Sequence, residues 1–296
     1  MLFRSRALER LGVREDVVAR AERIREGAIH VRSGRAIPFR LPAPALGISR
    51  FVLDDLLARR AADLGASIRF GVRVRDVTPG AAGFRVRFSE GAQDREAEAR
   101  SVVGAWGRWD ALDRAMSRGF DGRRGRFLAW SREYHPSPAL AGRVHVYLFR
   151  GGYCGLSRIE GGAVHLAGVV SESLHRRLEG GWEALLARAR RSNAALDRDL
   201  ASLVPRSDFL GAGPVYFTGK PPAERGILMA GDAAGVLDPF SGEGQGCAVT
   251  SGILAAKTLE RGFTGEFPLE RSAAVYADEW RARFRRASAG ARRFAD

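Results

Sequence analysis

Apolar positions along the chain fall into two rhythms, one of about three to four residues and one of two. Residues 51–64 (FVLDDLLARRAADL) repeat apolar side chains at helical spacing and stop at Gly65, a helix C-cap signal. Residues 8–13 and 17–24 are shorter helical pieces. Residues 29–31 and 36–39 read as short strands with turn residues between them, and 67–70, 73–77 and 83–88 alternate again. Residues 102–104 begin a further buried strand. From about Phe120 the period of two dominates, at 127–130, 144–149, 153–159 and 163–170, with Gly-rich turns between. Two helices then follow, an amphipathic one at 180–192 and a second at 193–203. The apolar run 227–230 is a strand, and 245–259 a helix.

This order predicts an α/β protein. Its frame is a Rossmann-like, three-layer nucleotide-binding domain with a β-meander, split by an inserted α+β module. The expected boundaries are 1–112 for the first part of that domain, 113–216 for the β-sheet module, and 217–296 for the second part with its C-terminal helices. No internal repeat of the solenoid kind is present.

Composition narrows the class. The chain has 296 residues, 45% hydrophobic and 28% charged, enough to bury one or two cores. No apolar run is long enough for a membrane-spanning helix, and the first residues lead straight into polar helical sequence without a signal peptide. With Cys154 and Cys247 as its two cysteines, a reducing cytoplasm fits better than a disulfide framework. The net charge of +14 rests almost wholly on arginine, since only Lys220 and Lys257 are lysines. The arginines are spread along the chain rather than clustered with aromatics, which argues against nucleic acid. The tail 281–293 (RARFRRASAGARR) is the exception. A solvated helix face is the simpler reading of it, and peripheral contact with acidic lipid headgroups the second.

Residues 226–252 (GILMAGDAAGVLDPFSGEGQGCAVTSG) carry the candidate chemistry. A strand ending in Gly231 lets the main chain approach a ligand with no Cβ in the way. Asp232 offers a carboxylate to ligand hydroxyls. Pro239 fixes the loop, Gly242 and Gly244 allow a close main-chain pass, and the helix opening near Gln245 points its partly positive N-terminus at the same place. A flat, electron-accepting ring such as flavin suits that arrangement. Glu243 is either a ring-facing acid or a solvated loop carboxylate.

The string Gly231, Asp232, Ala233, Ala234, Pro239, Gly242, Gly244 resembles the second FAD motif of the aromatic-hydroxylase-type flavoprotein monooxygenases, which geranylgeranyl reductases and flavin-dependent halogenases share. Arg50, in the segment SRFVL, resembles the family's helix-start arginine that meets the FAD pyrophosphate. Val74 stands where the family's strand backbone touches the adenine. Residues 102–109 (VVGAWGRW) are similar to the family's A-D-G-x-x-S segment, but Trp106 replaces the Asp, so direct use of NADPH is not implied. Residues 146–168 resemble the substrate-domain strands of the geranylgeranyl reductase-like branch without its paired Trp and Pro. The resemblance covers nearly the whole chain and is sharp only around Gly231. It implies FAD as cofactor and an oxidoreductase that either reduces a C=C bond or hydroxylates a small lipophilic molecule. The electron donor is NAD(P)H or a protein. A halogenase would need a lysine and a Trp-rich motif not seen here.

The family's opening strand, G-x-G-x-x-G turn and helix are not in the sequence. The expectation is therefore a chain shortened at both ends that binds FAD weakly or not at all. The alternative function is a non-catalytic remnant that binds a lipid or partner without flavin. Elsewhere, His30, His135, His145, His165 and His175 show no metal spacing, so no metal is expected. Ser157 and Ser241 lie in no nucleophile elbow. Cys154 beside Tyr153 reads as a small buried residue before a pocket-lining one, and Cys247 as packing.

Overall fold

The computed structural model describes residues 5–108, 111–118, 127–215, 220–235, 242 and 244–291, with the main chain alone at 5, 6, 214 and 285–291. Two compact units divide the chain: Met1–Gly65 with Arg124–Tyr216, and Ala66–Arg123 with Phe217–Asp296.

The first unit is built on a seven-stranded mixed sheet. Its strands are β1 (Glu22–His30), β2 (Ala36–Gly47), β7 (Phe127–Tyr134), β8 (Arg143–Phe149), β9 (Gly152–Arg158), β10 (Val164–Ser171) and β11 (Leu210–Val215), in the order β11-β7-β10-β9-β8-β1-β2. All neighbours are antiparallel except β1 and β8, which run parallel. Three short helices precede or flank it: α1 (Ser5–Arg10), α2 (Arg14–Arg20) and α3 (Arg50–Asp63). Ser49 caps α3 by accepting from Val52 N–H at 3.2 Å, and Gly65 (φ +91°) follows its end. Helices α5 (Glu172–Arg176), α6 (Gly181–Ser192) and α7 (Ala194–Leu200) cover the sheet, and the core includes Trp130, Tyr147, Leu156, Leu166, Leu185 and Leu196.

Two elements of this unit differ from expectation. The helical piece expected at 17–24 ends at Arg20, because Ala21 turns extended (ψ 146°) and the chain enters β1, where Ile24 is buried. The strand expected at 36–39 runs on to Gly47 through Pro38, Pro42 and Pro44. Proline cannot donate to a ladder, and β2 tolerates three of them because it is the sheet's edge.

The second unit holds two small sheets. The β-meander is β3 (Val72–Gly80), β4 (Gly83–Glu90) and β5 (Gln93–Ala99). Residues 67–70, expected as a strand, form no strand ladder among the described residues, and Phe70 is 81% exposed. The other sheet has the order β12-β13-β6, with β6 (Val103–Gly104), β12 (Ala223–Glu224) and β13 (Ile227–Met229). β13 pairs parallel to β6, as a doubly wound sheet requires. Three helices complete the unit: α4 (Ala111–Ala115), α8 (Gly244–Phe263) and α9 (Ser272–Ala291).

α8 buries Ser251, Ala255, Thr258 and Gly262, a stripe at helical spacing made of small side chains. Small residues let its axis come close to its neighbours: a Cβ on Gly262 would stand 2.6 Å from Ser272 Oγ. α9 is tied to β13 by Tyr276, whose buried hydroxyl donates to Met229 O at 2.5 Å. No described helix is long and apolar enough to cross a membrane.

Candidate functional site

β13 is wholly buried and delivers the chain to Gly231, whose φ of +60° only glycine adopts freely. A Cβ there would press on Ala248 Cβ at 3.2 Å, so turn and helix are in close contact. Gly231 N–H donates to Ser251 Oγ at 2.8 Å, and Ser251 in turn donates to Ala248 O at 2.9 Å. The strand end is thus stitched to the first turns of α8. Gly242 (φ +66°) and Gly244 behave differently: among the described residues, nothing stands within 4 Å of where their Cβ atoms would be. No described atom covers the main chain at these two positions. Helix α8 begins at Gly244, so the partial positive charge of its N-terminus lies there too.

Asp232 and Gln245 on this connection, with Arg108 beside it, offer a consistent donor and acceptor set. Asp232 is about one-third exposed, with Oδ2 3.4 Å from Arg108 Nε. Arg108 Nη1 is buried and finds no hydrogen-bond partner among the described residues, and so is Gln245 Oε1. Buried polar atoms without partners are costly, and a ligand bearing hydroxyls, phosphate or ring N–H groups would satisfy both kinds. These residues fit the ring-side portion of a flavin nucleotide.

Behind the turn sits a buried ionic network. Arg118, with a fully buried side chain, donates to Asp113 Oδ1 (2.9 Å), Glu224 Oε2 (3.0 Å), Pro221 O (2.8 Å) and Ala233 O (3.0 Å). Lys220 donates to Asp113 Oδ2 at 3.1 Å and Arg108 O at 2.7 Å. Burial pulls the Lys220 ammonium below its usual range, against the pull of Asp113. Trp106 completes the cluster by donating Nε1 to Asp113 Oδ1 at 3.0 Å while its ring lies on Gly104. Trp106 therefore packs with Val77, Met116, Ile227 and Met229. An indole fills this apolar space where the resembling family carries an acid.

The sequence-predicted residues distribute as follows. Gly231, Asp232, Gly242, Gly244 and Gln245 come together on the β13–α8 connection. Pro239 and Glu243 lie outside the described residues. Val74 sits on β3 at an irregularity in its pairing with β4 and is 36% exposed. Arg50 belongs to the other unit, where its guanidinium holds Asp54 one turn along α3, Nη2 to Oδ2 2.9 Å. Arg108, Ser251 and Arg118 were not singled out from sequence. The contacts that bring them to the turn, Arg108 with Asp232, Ser251 with Gly231 and Arg118 with Ala233, span 124, 20 and 115 residues, and an arginine-rich sequence offers no contrast to mark them. Cys154 is fully buried on β9, its thiol pushed up by burial, which makes it a packing residue.

No protein-family model and no curated protein matches the chain. Solved structures do. The flavin-dependent brominase Bmp2 aligns over 95% of this chain and 73% of its own, with a TM-score of 0.77 and 18% identity. The myxobacterial chondrochloren halogenase CndH, a variant of FAD-dependent halogenases, aligns over 94% and 68%, with 0.80 and 20%. PqsL of Pseudomonas aeruginosa, described as a probable FAD-dependent monooxygenase, aligns over 97% and 83%, with 0.79 and 19%. The chain therefore has the fold of the FAD-binding Rossmann-type flavoenzymes.

Proposed function

We propose that the chain is an FAD-dependent oxidoreductase whose β13–α8 connection holds the ring side of the cofactor. The supporting observation is the pairing of two glycine positions that no described atom covers, Gly242 and Gly244, with a buried, unpartnered Gln245 Oε1 at the start of a long helix. FAD, when bound, supplies the hydride-transfer and oxygen chemistry that side chains cannot. Asp232 accepts from the cofactor's hydroxyls, and Arg108 supplies a donor beside it. The α8 N-terminus stabilises negative charge on the ring and so favours its electron-rich form. The buried Arg118–Asp113–Lys220 network keeps the turn rigid so that these groups need no rearrangement on binding.

The proposed reaction either reduces a C=C bond or hydroxylates a small lipophilic substrate, with the seven-stranded sheet unit as the substrate-binding module. NAD(P)H or a protein serves as electron donor. Turnover that consumes oxygen separates hydroxylation from reduction.

FAD titration followed by flavin fluorescence tests the reading, on the chain itself and on a version carrying the in-frame sequence upstream of Met1. Saturable binding that Asp232→Ala weakens by about 10-fold or more, the scale of one hydrogen bond to a charged group, is the expected result. If neither version binds FAD, the flavin reading fails and a lipid- or partner-binding module takes its place.

A further inference from the structure

A second polar cluster lies in the seven-stranded sheet unit, independent of the flavin reading. β1 and β8 run parallel, with His30 paired to Tyr147 and Ala28 to His145. His145 and Tyr147 are two apart on one strand and so share a face. His30 lies across from them, its ring stacked on Tyr147 at 4.9 Å between centroids.

Asp199 is brought to this face by α7. Asn193 caps that helix, accepting from Ala195 and Leu196 N–H, and donates to His30 O (3.0 Å) and Leu148 O (3.1 Å). One side chain thereby fixes the helix to both strands.

The result is a convergence of lone pairs. His145 Nδ1 lies 3.3 Å from His30 Nε2, 3.1 Å from Asp199 Oδ2 and 3.2 Å from Tyr147 Oη. Tyr147 Oη donates to the same Oδ2 at 2.6 Å, while Arg198 Nε holds Oδ1 at 3.2 Å. A ring nitrogen carries one proton or one lone pair, so it serves one of these neighbours at a time. A cation among them engages all of the ligand atoms together. One atom each from His30, His145 and Asp199 lies within 4.8 Å of the others. Ligands bound at about 2.0–2.1 Å around tetrahedral zinc stand about 3.3 Å apart, close to the two separations seen.

We propose that His30, His145 and Asp199 form a site for a divalent transition-metal ion of the zinc type, with Tyr147 orienting the carboxylate. Two imidazoles and one carboxylate suit zinc, cobalt or nickel and not magnesium or calcium, which take oxygen ligands. All three side chains are largely but not wholly buried, leaving an ion a way in. The ion would tie β1, β8 and α7 together. Sequence spacing did not point to it, because the ligands are 115 and 54 residues apart.

Zn2+ titration of the metal-free full chain tests the site, with Co2+ as spectroscopic probe. Wild type binds one ion, insensitive to excess Mg2+ or Ca2+, and bound Co2+ shows imidazole nitrogen ligation. Asp199→Asn and His145→Ala each weaken Zn2+ by more than about 10-fold, and Tyr147→Phe by about 10–100-fold as an outer-sphere partner. His135→Ala, at an exposed histidine, leaves binding unchanged. Equal affinity in Asp199→Asn and wild type overturns the site, as does a Co2+ spectrum without imidazole nitrogen or the absence of saturable binding. The Co2+ spectrum needs only the wild-type chain, so it decides the matter even where a variant misfolds.

Discussion

Arg118 Nη1 donates to the main-chain carbonyl of Ala233 at 3.0 Å, so a buried cation grips the turn that carries Asp232. The same guanidinium reaches Asp113, Glu224 and Pro221 O, and Asp113 in turn holds Lys220 and Trp106. Removing it leaves two carboxylates and two carbonyls without their shared donor. Arg118→Met is therefore expected to cost about 3–5 kcal/mol, the usual loss when one partner of a buried ion pair is deleted. Arg118→Lys recovers only part of this, since an ammonium cannot reproduce the planar fork. Urea unfolding followed by circular dichroism reads both values. An Arg118→Met midpoint equal to wild type contradicts the assigned role.

The His30 cluster makes stability pH-dependent in one direction. Burial, then the nearby His145 and Arg198, lower the His30 pKa from its ordinary 6.5, while Asp199 opposes them. The unfolded chain thus takes up a proton before the folded one does. Stability is complete above pH 6.5 and falls as pH drops from there through the folded-state pKa. Asp199 adds to the loss at lower pH. Burial alone would raise its pKa, but hydrogen bonds from Tyr147 and His145 and the charge of Arg198 hold it below the usual carboxylate value of 3.8. Its contribution is present above 3.8 and disappears as pH falls through the lowered folded value. Metal-free protein is the right sample. Urea midpoints at a series of pH values should decline below 6.5, and His30→Phe should flatten the first part of that decline. A wild-type midpoint that rises on acidification refutes the assignment.

Asn193 unites two jobs that one substitution can separate. Its carbonyl oxygen caps α7 and its amide donates to His30 O and Leu148 O. Asn193→Asp keeps the cap and loses the donor, while Asn193→Ala loses both. The cap is worth about 1 kcal/mol, and leaving buried carbonyls unpaired costs about 1–3 kcal/mol more. Both variants should therefore unfold at lower urea than wild type, Asn193→Asp carrying the added cost of a buried carboxylate set against the His30 and Leu148 carbonyls. If Asn193→Asp matches wild type, the bridge to β1 and β8 contributes nothing.

What could be read from the sequence follows from distance along the chain. The strand, Gly231, Asp232 and α8 occupy one short segment, so local spacing and turn chemistry placed them correctly. α3 was legible for the same reason, with Ser49 at its start and Gly65 past its end. β2 was read too short because Pro38, Pro42 and Pro44 are strand breakers except at an edge, and edge position is a tertiary fact. Residues 67–70 alternate like a strand yet form no ladder among the described residues, which no local pattern reveals. The Arg118 network and the His30–His145–Asp199 cluster escaped notice because contacts such as His30 with His145 and Arg118 with Ala233 each join residues 115 apart in the chain. One arginine among 46 carries no signal of its own.

The glycines of the β13–α8 connection separate structure from ligand binding. Gly231 sits at φ +60° against Ala248, so Gly231→Ala places a side chain in a left-handed conformation and should destabilise the chain by about 1–2 kcal/mol. Gly244 stands at the first position of α8 with an ordinary backbone and no described atom within 4 Å of where its Cβ would be. Gly244→Ala should leave stability unchanged or raise it slightly, because alanine loses less backbone entropy in a helix. If a flavin ring lies over that main chain, the added methyl group intrudes on it. FAD affinity should then fall in Gly244→Ala although its urea midpoint does not. A variant that binds FAD as wild type does would show that the ring approaches elsewhere.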